Sequence, residues 1–407
     1  MSADTCTIGL LGHGTVGSAF ADLVAARADD ITRITGRRPQ IGGILTRSLG
    51  DADAILAGSD IVVELMGGVE TARDLVLRAL RSGTPVVTAN KQLVSRHGPE
   101  LAQAAREGGV ALRYEAAVAG IVPVVRVLGE SLAGAQVDRV HGIVNGTTNF
   151  ILSQMAATGA TYADALREAQ ELGYAEADPT EDVSGADAAA KMAILARLAF
   201  GHWVHLDDVV FEGIEHVTAD DMAYARQFDL ALKLVGTAER VGDGLSVRVH
   251  PAFLPVGHPL ASVDGPFNAV TIESAAITEI TLSGPGAGGP QTASAVLGDV
   301  VSAMIGAPGP PEPHAPAVIG SGVASAFYVH LEVADRPGVL AQVAERLGLQ
   351  GISVKSVIQD GLGETARLVI VTHTVSEQDF AAALDLIRAL DVVRAVRAIR
   401  VIDEHFS

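Results

Sequence analysis

The arrangement in this chain best suited to moving a proton is a lysine four residues beyond an aspartate, in a helix that is otherwise almost wholly apolar. Asp187 and Lys191 stand in "GADAAAKMAILARLAF" and share one helix face at this spacing. On an exposed helix such a pair is a surface ion pair worth a few tenths of a kcal/mol. Here only Arg197 joins them among small and aliphatic residues, so the helix has no polar face and Lys191 is expected to be enclosed. An enclosed ammonium requires a carboxylate partner and is a candidate for chemistry. The turn-rich segment just before it adds Glu176, Asp178, Glu181 and Asp182. When a hydride reaches a carbonyl carbon, the oxygen gains negative charge and must be protonated, and a positioned ammonium serves both needs. Lys91 is a second candidate, in "TANK" after the fourth expected strand, at the carboxyl end of the sheet where such folds hold ligands. A lone lysine at a strand end is nevertheless more often plain surface. An amino-acid substrate would bring an ammonium for Glu176, Asp182 and Asp187, and a carboxylate or reacting oxygen for Lys91.

A hydride needs a carrier. Gly12-His13-Gly14-Thr15-Val16-Gly17 follows the first expected strand and opens an apolar helix to about Ala26. GxGxxG alone is a weak signal, but between strand and helix its backbone amides and the helix dipole suit a pyrophosphate. Thr46-Arg47-Ser48 ends the second strand where NAD-preferring folds carry an acid for the ribose 2′-hydroxyl. Arg47 there suits a 2′-phosphate, which favours NADP and leaves NAD open.

The elements that position these residues fall into three units. Up to about Val127 the runs "TCTIGLL", "IGGILT", "DIVVEL", "TPVVTA" and "GVALRYEA" read as strands alternating with helices, which implies a doubly wound parallel sheet of Rossmann type in residues 1–135. Residues 136–305 mix strands with apolar helices and read as an α+β substrate and dimerisation domain. The helix after "GPGAGG" is one candidate to pack back on the first unit. The proline-rich 306–324, beginning "GAPGPPEPHAP", suits neither helix nor central strand and reads as a linker. Residues 325–407 run βαββαβ, a ferredoxin-like unit. The formal charge of −19, spread along 407 residues, argues against nucleic acid. The longest apolar stretch, Ala116 to Val125, is about half of the ~20 residues a membrane helix needs. With no signal-like N-terminus and a single cysteine, Cys6, a reducing cytoplasmic location without a membrane or a disulfide framework is expected.

These residues resemble the homoserine dehydrogenase family in its single-function form with a C-terminal ACT domain. "GLLGHGTVGSAF", "VVELMGG", "VTANKQLVSRHG", "YEAAVAGIVPV", "GIVNGTTNFIL", "LGYAEADPTEDVSGADAAAKMAILA" and "GPGAGGPQTASAVLGD" follow the family's order over nearly the whole chain. The resemblance implies NAD(P)-dependent interconversion of L-aspartate 4-semialdehyde and L-homoserine, on the route to threonine, methionine and isoleucine. It makes Lys191 the proton donor and acceptor, Lys91 the second essential lysine, and Glu176 and Asp187, with Asp182 close by, the homoserine site. Thr15, Val16, Arg47, Lys91, Gly173 and Gly286 match its cofactor contacts. It also implies a sodium ion on Glu115 and the carbonyls of Val118, Gly120 and Val122, where a plain structural turn is an equal reading of the residues. In the last unit, Asp335-Arg336-Pro337-Gly338-Val339-Leu340 matches the strand-to-helix turn of an ACT domain. Asp335, Gly338 and Leu340 are the candidate effector residues, with threonine the implied ligand and a homodimer or homotetramer the implied assembly. Pairing subunits without binding an effector is the other reading of that unit.

Two rivals remain. Aspartate-semialdehyde dehydrogenase shares substrate and sheet architecture but needs a nucleophilic cysteine, and Cys6 lies in the first strand, ahead of the cofactor turn. A non-catalytic sensor of dinucleotide and amino acid would need neither an enclosed Lys191 nor the acid cluster beside it.

Overall fold

The computed structural model describes residues 4–313, 315–320, 322–361 and 366–402. Strands β1 (Asp4–Leu11), β2 (Arg37–Leu45), β3 (Ile61–Glu64), β4 (Val86–Thr88) and β5 (Leu112–Arg113) form a parallel sheet in the order β2-β1-β3-β4-β5. The winding reverses between β1 and β3, and the carboxyl ends of strands at such a switch point leave a crevice for ligands. Helix α1 (Thr15–Thr35) follows β1, and α2 (Lys91–Gly108) follows β4.

Two expectations need correcting here. Helix α1 continues nine residues beyond Ala26, because Ile31 stays buried, Asp30 pairs with Arg27 and Arg33, and only Gly36, at φ 78°, ends it. Strand β5 is two residues long rather than the whole of "GVALRYEA", since the chain turns at once into the 3-10 segment Glu115–Ala117.

A second sheet contains β6 (Arg139–Ile143), β7 (Leu230–Val241), β8 (Gly244–Pro255), β9 (Phe267–Ser274) and β10 (Thr278–Pro285), ordered β10-β9-β6-β7-β8. One face carries α3 (Gly146–Thr158) and α4 (Ala186–Phe200), and Ala188, Ala189, Met192, Ala193 and Ile194 of α4 belong to the largest apolar core. Helix α5 (Gly289–Met304) leaves this unit and packs on α1, its Ala293, Val296 and Val300 sharing a core with Cys6, Ile8 and Phe20.

The last unit comprises β11 (Ala324–Val333), α6 (Val339–Leu349), β12 (Val354–Asp360), β13 (Ala366–Thr372), α7 (Glu377–Arg388) and β14 (Val393–Val401). Its sheet, β14-β11-β13-β12, is not merely tethered. Strand β14 pairs in parallel with β8 through Ala252 with Arg400 and Phe253 with Val401, joining the two sheets edge to edge. The proline-rich segment lies against the body as a strap. Arg113 donates to the Pro308 carbonyl, Glu312 pairs with Arg106, and Leu245 N–H donates to Val318 at 2.8 Å. Among the described residues no helix is long and apolar enough to cross a membrane.

Candidate active site

Two helix starts and one helix body bring the lysines together. Asn90 caps α2 by accepting from Leu93 N–H at 3.0 Å, which places Lys91 as the first helical residue. Asn145 caps α3 in the same way, accepting from Thr148 N–H at 2.9 Å. Its amide nitrogen donates to Asp182 Oδ1 at 2.7 Å and to Asp187 Oδ2 at 2.8 Å. Asp187, 2% exposed, receives Lys191 Nζ on Oδ2 at 2.7 Å and Lys91 Nζ on Oδ1. Lys191 Nζ also donates to the Val144 carbonyl at 2.7 Å.

The electrostatics follow from this packing. Burial opposes ionisation of Asp187, yet the Lys191 and Lys91 ammonium groups outweigh it and hold the carboxyl well below the usual carboxylate range. For Lys91 burial works against the charged form, and Asp187 overcomes it and raises the pKa. Asp182 moves up, through burial and the neighbouring Asp187 charge, despite its bond from Asn145. At the end of β3, Glu64 is fully buried, accepting from Thr88 Oγ1 at 2.6 Å and Met66 N–H at 2.7 Å, and burial pushes it up to about 7.

Lys91 and Lys191 open onto a cleft of about 770 Å³ at the carboxyl ends of the parallel strands. Val16, the Leu65–Val69 loop, Gly120, Gly286 and Thr292 line one part of its wall, while Glu176 and Glu181 stand near the lysines. Asp182 and Asp187 lie behind the lysines instead of on that wall. In the glycine turn, Gly12 has φ 102° and a Cβ would come within 2.5 Å of the Leu65 carbonyl oxygen. A Cβ on Gly17 would come within 2.2 Å of the Gly12 carbonyl oxygen, whereas one on Gly14 would meet nothing within 4 Å. The first and third glycines thus let strand and helix close up, and the second leaves open space before the α1 amides, including Thr15 N–H, fitting a pyrophosphate.

Three family models cover the chain: "Homoserine dehydrogenase, NAD binding domain" at residues 12–115, "Homoserine dehydrogenase" at 123–301 and "ACT domain" at 328–392. The chain is 44% identical to the homoserine dehydrogenase of Corynebacterium glutamicum, over 94% of this chain and 92% of that one. The chain belongs to the homoserine dehydrogenase family. With the Mycobacterium tuberculosis homoserine dehydrogenase identity is 43% over 93% of both chains. The crystal structure of a homoserine dehydrogenase from Thiobacillus denitrificans superposes with a TM-score of 0.92 at 38% identity, covering 98% of this chain and 99% of that one. A hyperthermophilic archaeal homoserine dehydrogenase in complex with NADPH gives 0.64 at 28% identity, covering 74% of this chain and 98% of that one. This chain accordingly has the NAD-binding, catalytic and ACT domains of a homoserine dehydrogenase, and it is an oxidoreductase.

Other expected positions are dispersed. Arg47 is exposed in the turn after β2 and makes no ion pair among the described residues, while Thr46 Oγ1 fixes that turn by accepting from Leu49 N–H at 3.0 Å. Gly173, at φ 78°, ends the helix Tyr162–Glu171 and does not line the cleft. Glu115 is buried and accepts from Val125 N–H at 2.9 Å and Arg126 N–H at 3.0 Å, and burial, then the nearby Asp299, pushes it up to about 7. Val118 and Val122 are buried beside Gly120. Gly338 is left-handed at φ 90° and starts α6 without a side-chain cap, with Asp335 and Leu340 exposed around it. Cys6 is buried and its thiol is raised by burial, the opposite of an activated nucleophile.

Sequence reasoning missed Asn145. Its signal was "NGTT", an Asn at a strand-to-helix junction, which reads as an ordinary cap. The bonds to Asp182 and Asp187 are tertiary and leave no local pattern.

Proposed function

We propose that Lys191 is the proton donor and acceptor of the homoserine dehydrogenase reaction and that Lys91 steers the substrate. The observation that carries this reading is the Lys191 ammonium, only 14% exposed, held at 2.7 Å by both Asp187 and the Val144 carbonyl on the wall of the cleft. An ammonium has three donors. Two are occupied, so the third is donated to the oxygen of the reacting carbon as aspartate semialdehyde is reduced, and the neutral amine is the recipient when homoserine is oxidised. The nicotinamide cofactor supplies or takes the hydride. Lys91, 32% exposed, attracts the substrate carboxylate, and Glu176 and Glu181 attract its ammonium. Asp187, with Asp182 and Asn145 behind it, fixes both lysines and favours the charged form of Lys91.

Gly12, Gly14 and Gly17 with the amides of Thr15 and Val16 receive the pyrophosphate, and Arg47 receives a 2′-phosphate, so NADP is the preferred cofactor. Gly286 closes the far wall, and Gly173 contributes from the helix end. Glu115 and the carbonyls of Val118, Gly120 and Val122 would hold sodium. Hard oxygen donors fit such an ion, and a desolvated carboxylate beside Asp299 gains from a cation. Threonine at Asp335, Gly338 and Leu340 is the proposed effector, within a cytoplasmic homo-oligomer.

The test is absorbance of the reduced cofactor after mixing protein with homoserine and NADP or NAD, with and without threonine. Homoserine-dependent reduction, faster with NADP and altered by threonine, is expected. Folded protein that binds nucleotide without turnover would overturn the reading.

A further inference from the structure

A second, smaller cavity of about 190 Å³ lies away from the cleft and shares no lining residue with it. Helix α2 supplies Val94 and Ala102, α4 supplies Ile194 and Arg197, and the 309–313 strap forms the roof. Apolar surface is only the larger share of this wall, which also holds Tyr114, Glu312 and one buried cation. Arg197 is 5% exposed and has no ion pair with a carboxylate among the described residues. Its guanidinium donates to the Val204 carbonyl at 2.8 Å, to Val94 at 2.7 Å and to Ser95. The Ser95 bond has a local cause, since Pro99 inside α2 lacks the N–H that would serve that carbonyl. These contacts satisfy three of five N–H groups and leave the charge unneutralised. A buried cation without a counterion is unfavourable, and burial lowers the Arg197 pKa to about 10. The one acidic residue on the wall, Glu312, is paired with Arg106.

We propose that this cavity binds a small carboxylate with a compact apolar body, of the size of benzoate, its carboxylate on Arg197 and its body between α2, α4 and the strap. A cavity of about 150 Å³ lined by apolar side chains accepts benzene, so the space suffices. Val94 and Ile194 are each three residues beyond Lys91 and Lys191. An occupant therefore rests on both lysine-bearing helices one turn past the lysines.

Trp203, the chain's only tryptophan, lines the cavity with its ring 5.4 Å from the Arg197 guanidinium carbon. Its fluorescence reports occupancy without reference to turnover, so the result stands apart from the reading of the active site. The full chain is titrated with benzoate, benzamide and toluene at constant ionic strength. Benzoate should give a saturable change with Kd on the order of 1 mM, and the two neutral probes should bind at least roughly tenfold more weakly. Ala102→Leu, which fills the space, should abolish the benzoate response and leave homoserine oxidation unchanged. No saturable change with benzoate would overturn the proposal, as would a response that persists in Ala102→Leu. Toluene binding as tightly as benzoate would overturn the carboxylate assignment, and that comparison needs no variant.

Discussion

Replacing Asp187 with asparagine keeps the shape of the side chain and removes the one charge that lies between two ammonium groups. At an effective dielectric near 20, unit charges at the observed 2.7 Å separation attract by about 6 kcal/mol. Desolvation offsets most of that, and removing one partner of a buried pair typically costs about 3–5 kcal/mol. Lys91 is a third exposed and can turn to water, so the low end, about 3 kcal/mol, is expected for Asp187→Asn, and the melting temperature should fall by roughly 3–4 °C. A second effect is specific to the chemistry. Without Asp187, burial is opposed only by the more distant Glu181 and Asp182 charges, so Lys91 holds its proton less firmly. The alkaline limb of the rate of aspartate semialdehyde reduction should therefore move to lower pH. Calorimetry and a pH–rate profile on the same preparation read both effects. An unshifted limb with an unchanged melting temperature would refute the role assigned to Asp187.

Arg47→Ala should raise KM for NADP by roughly 10- to 100-fold, the loss of one charge-assisted phosphate contact, and leave KM for NAD nearly unchanged; equal losses would remove the 2′-phosphate role. Sodium in place of choline at equal ionic strength should stabilise the protein by about 1 kcal/mol, more at pH 8 than at pH 5, because the cation favours ionised Glu115. Glu115→Gln should abolish that difference, and its persistence would place any sodium elsewhere. Glu64 has a folded-state pKa of about 7, above the ordinary ~4.3, so its contribution is full below that ordinary value and is lost as pH rises through 7. Glu64→Gln should then lessen the fall in stability between pH 5 and 8 by about 3 kcal/mol in urea unfolding, and an unchanged fall would contradict the burial argument.

Local pattern made part of this legible. The glycine spacing from Gly12 to Gly17 reflects contacts within one strand, turn and helix, and the structure accounts for each glycine by distance. Enclosure of Lys191 followed from a helix without a polar face, since its neighbours had to be buried on every side. What sequence left hidden depends on distant pairing. Asn145 meets Asp182 and Asp187 from another element, Arg197 completes a helix that Pro99 interrupts, and β14 joins β8 across more than a hundred residues with two residue pairs. The length of α1 was missed because its later turns are polar, and only Ile31 and the Asp30 ion pairs sustain them.

The proposed proton transfer runs through the Lys191 ammonium. Lys191→Ala, shown to be folded and to bind NADP as the unchanged chain does, should lose turnover of homoserine by roughly a thousandfold or more in a direct absorbance assay of the reduced cofactor. A variant that kept most of its turnover would rule out that role for Lys191.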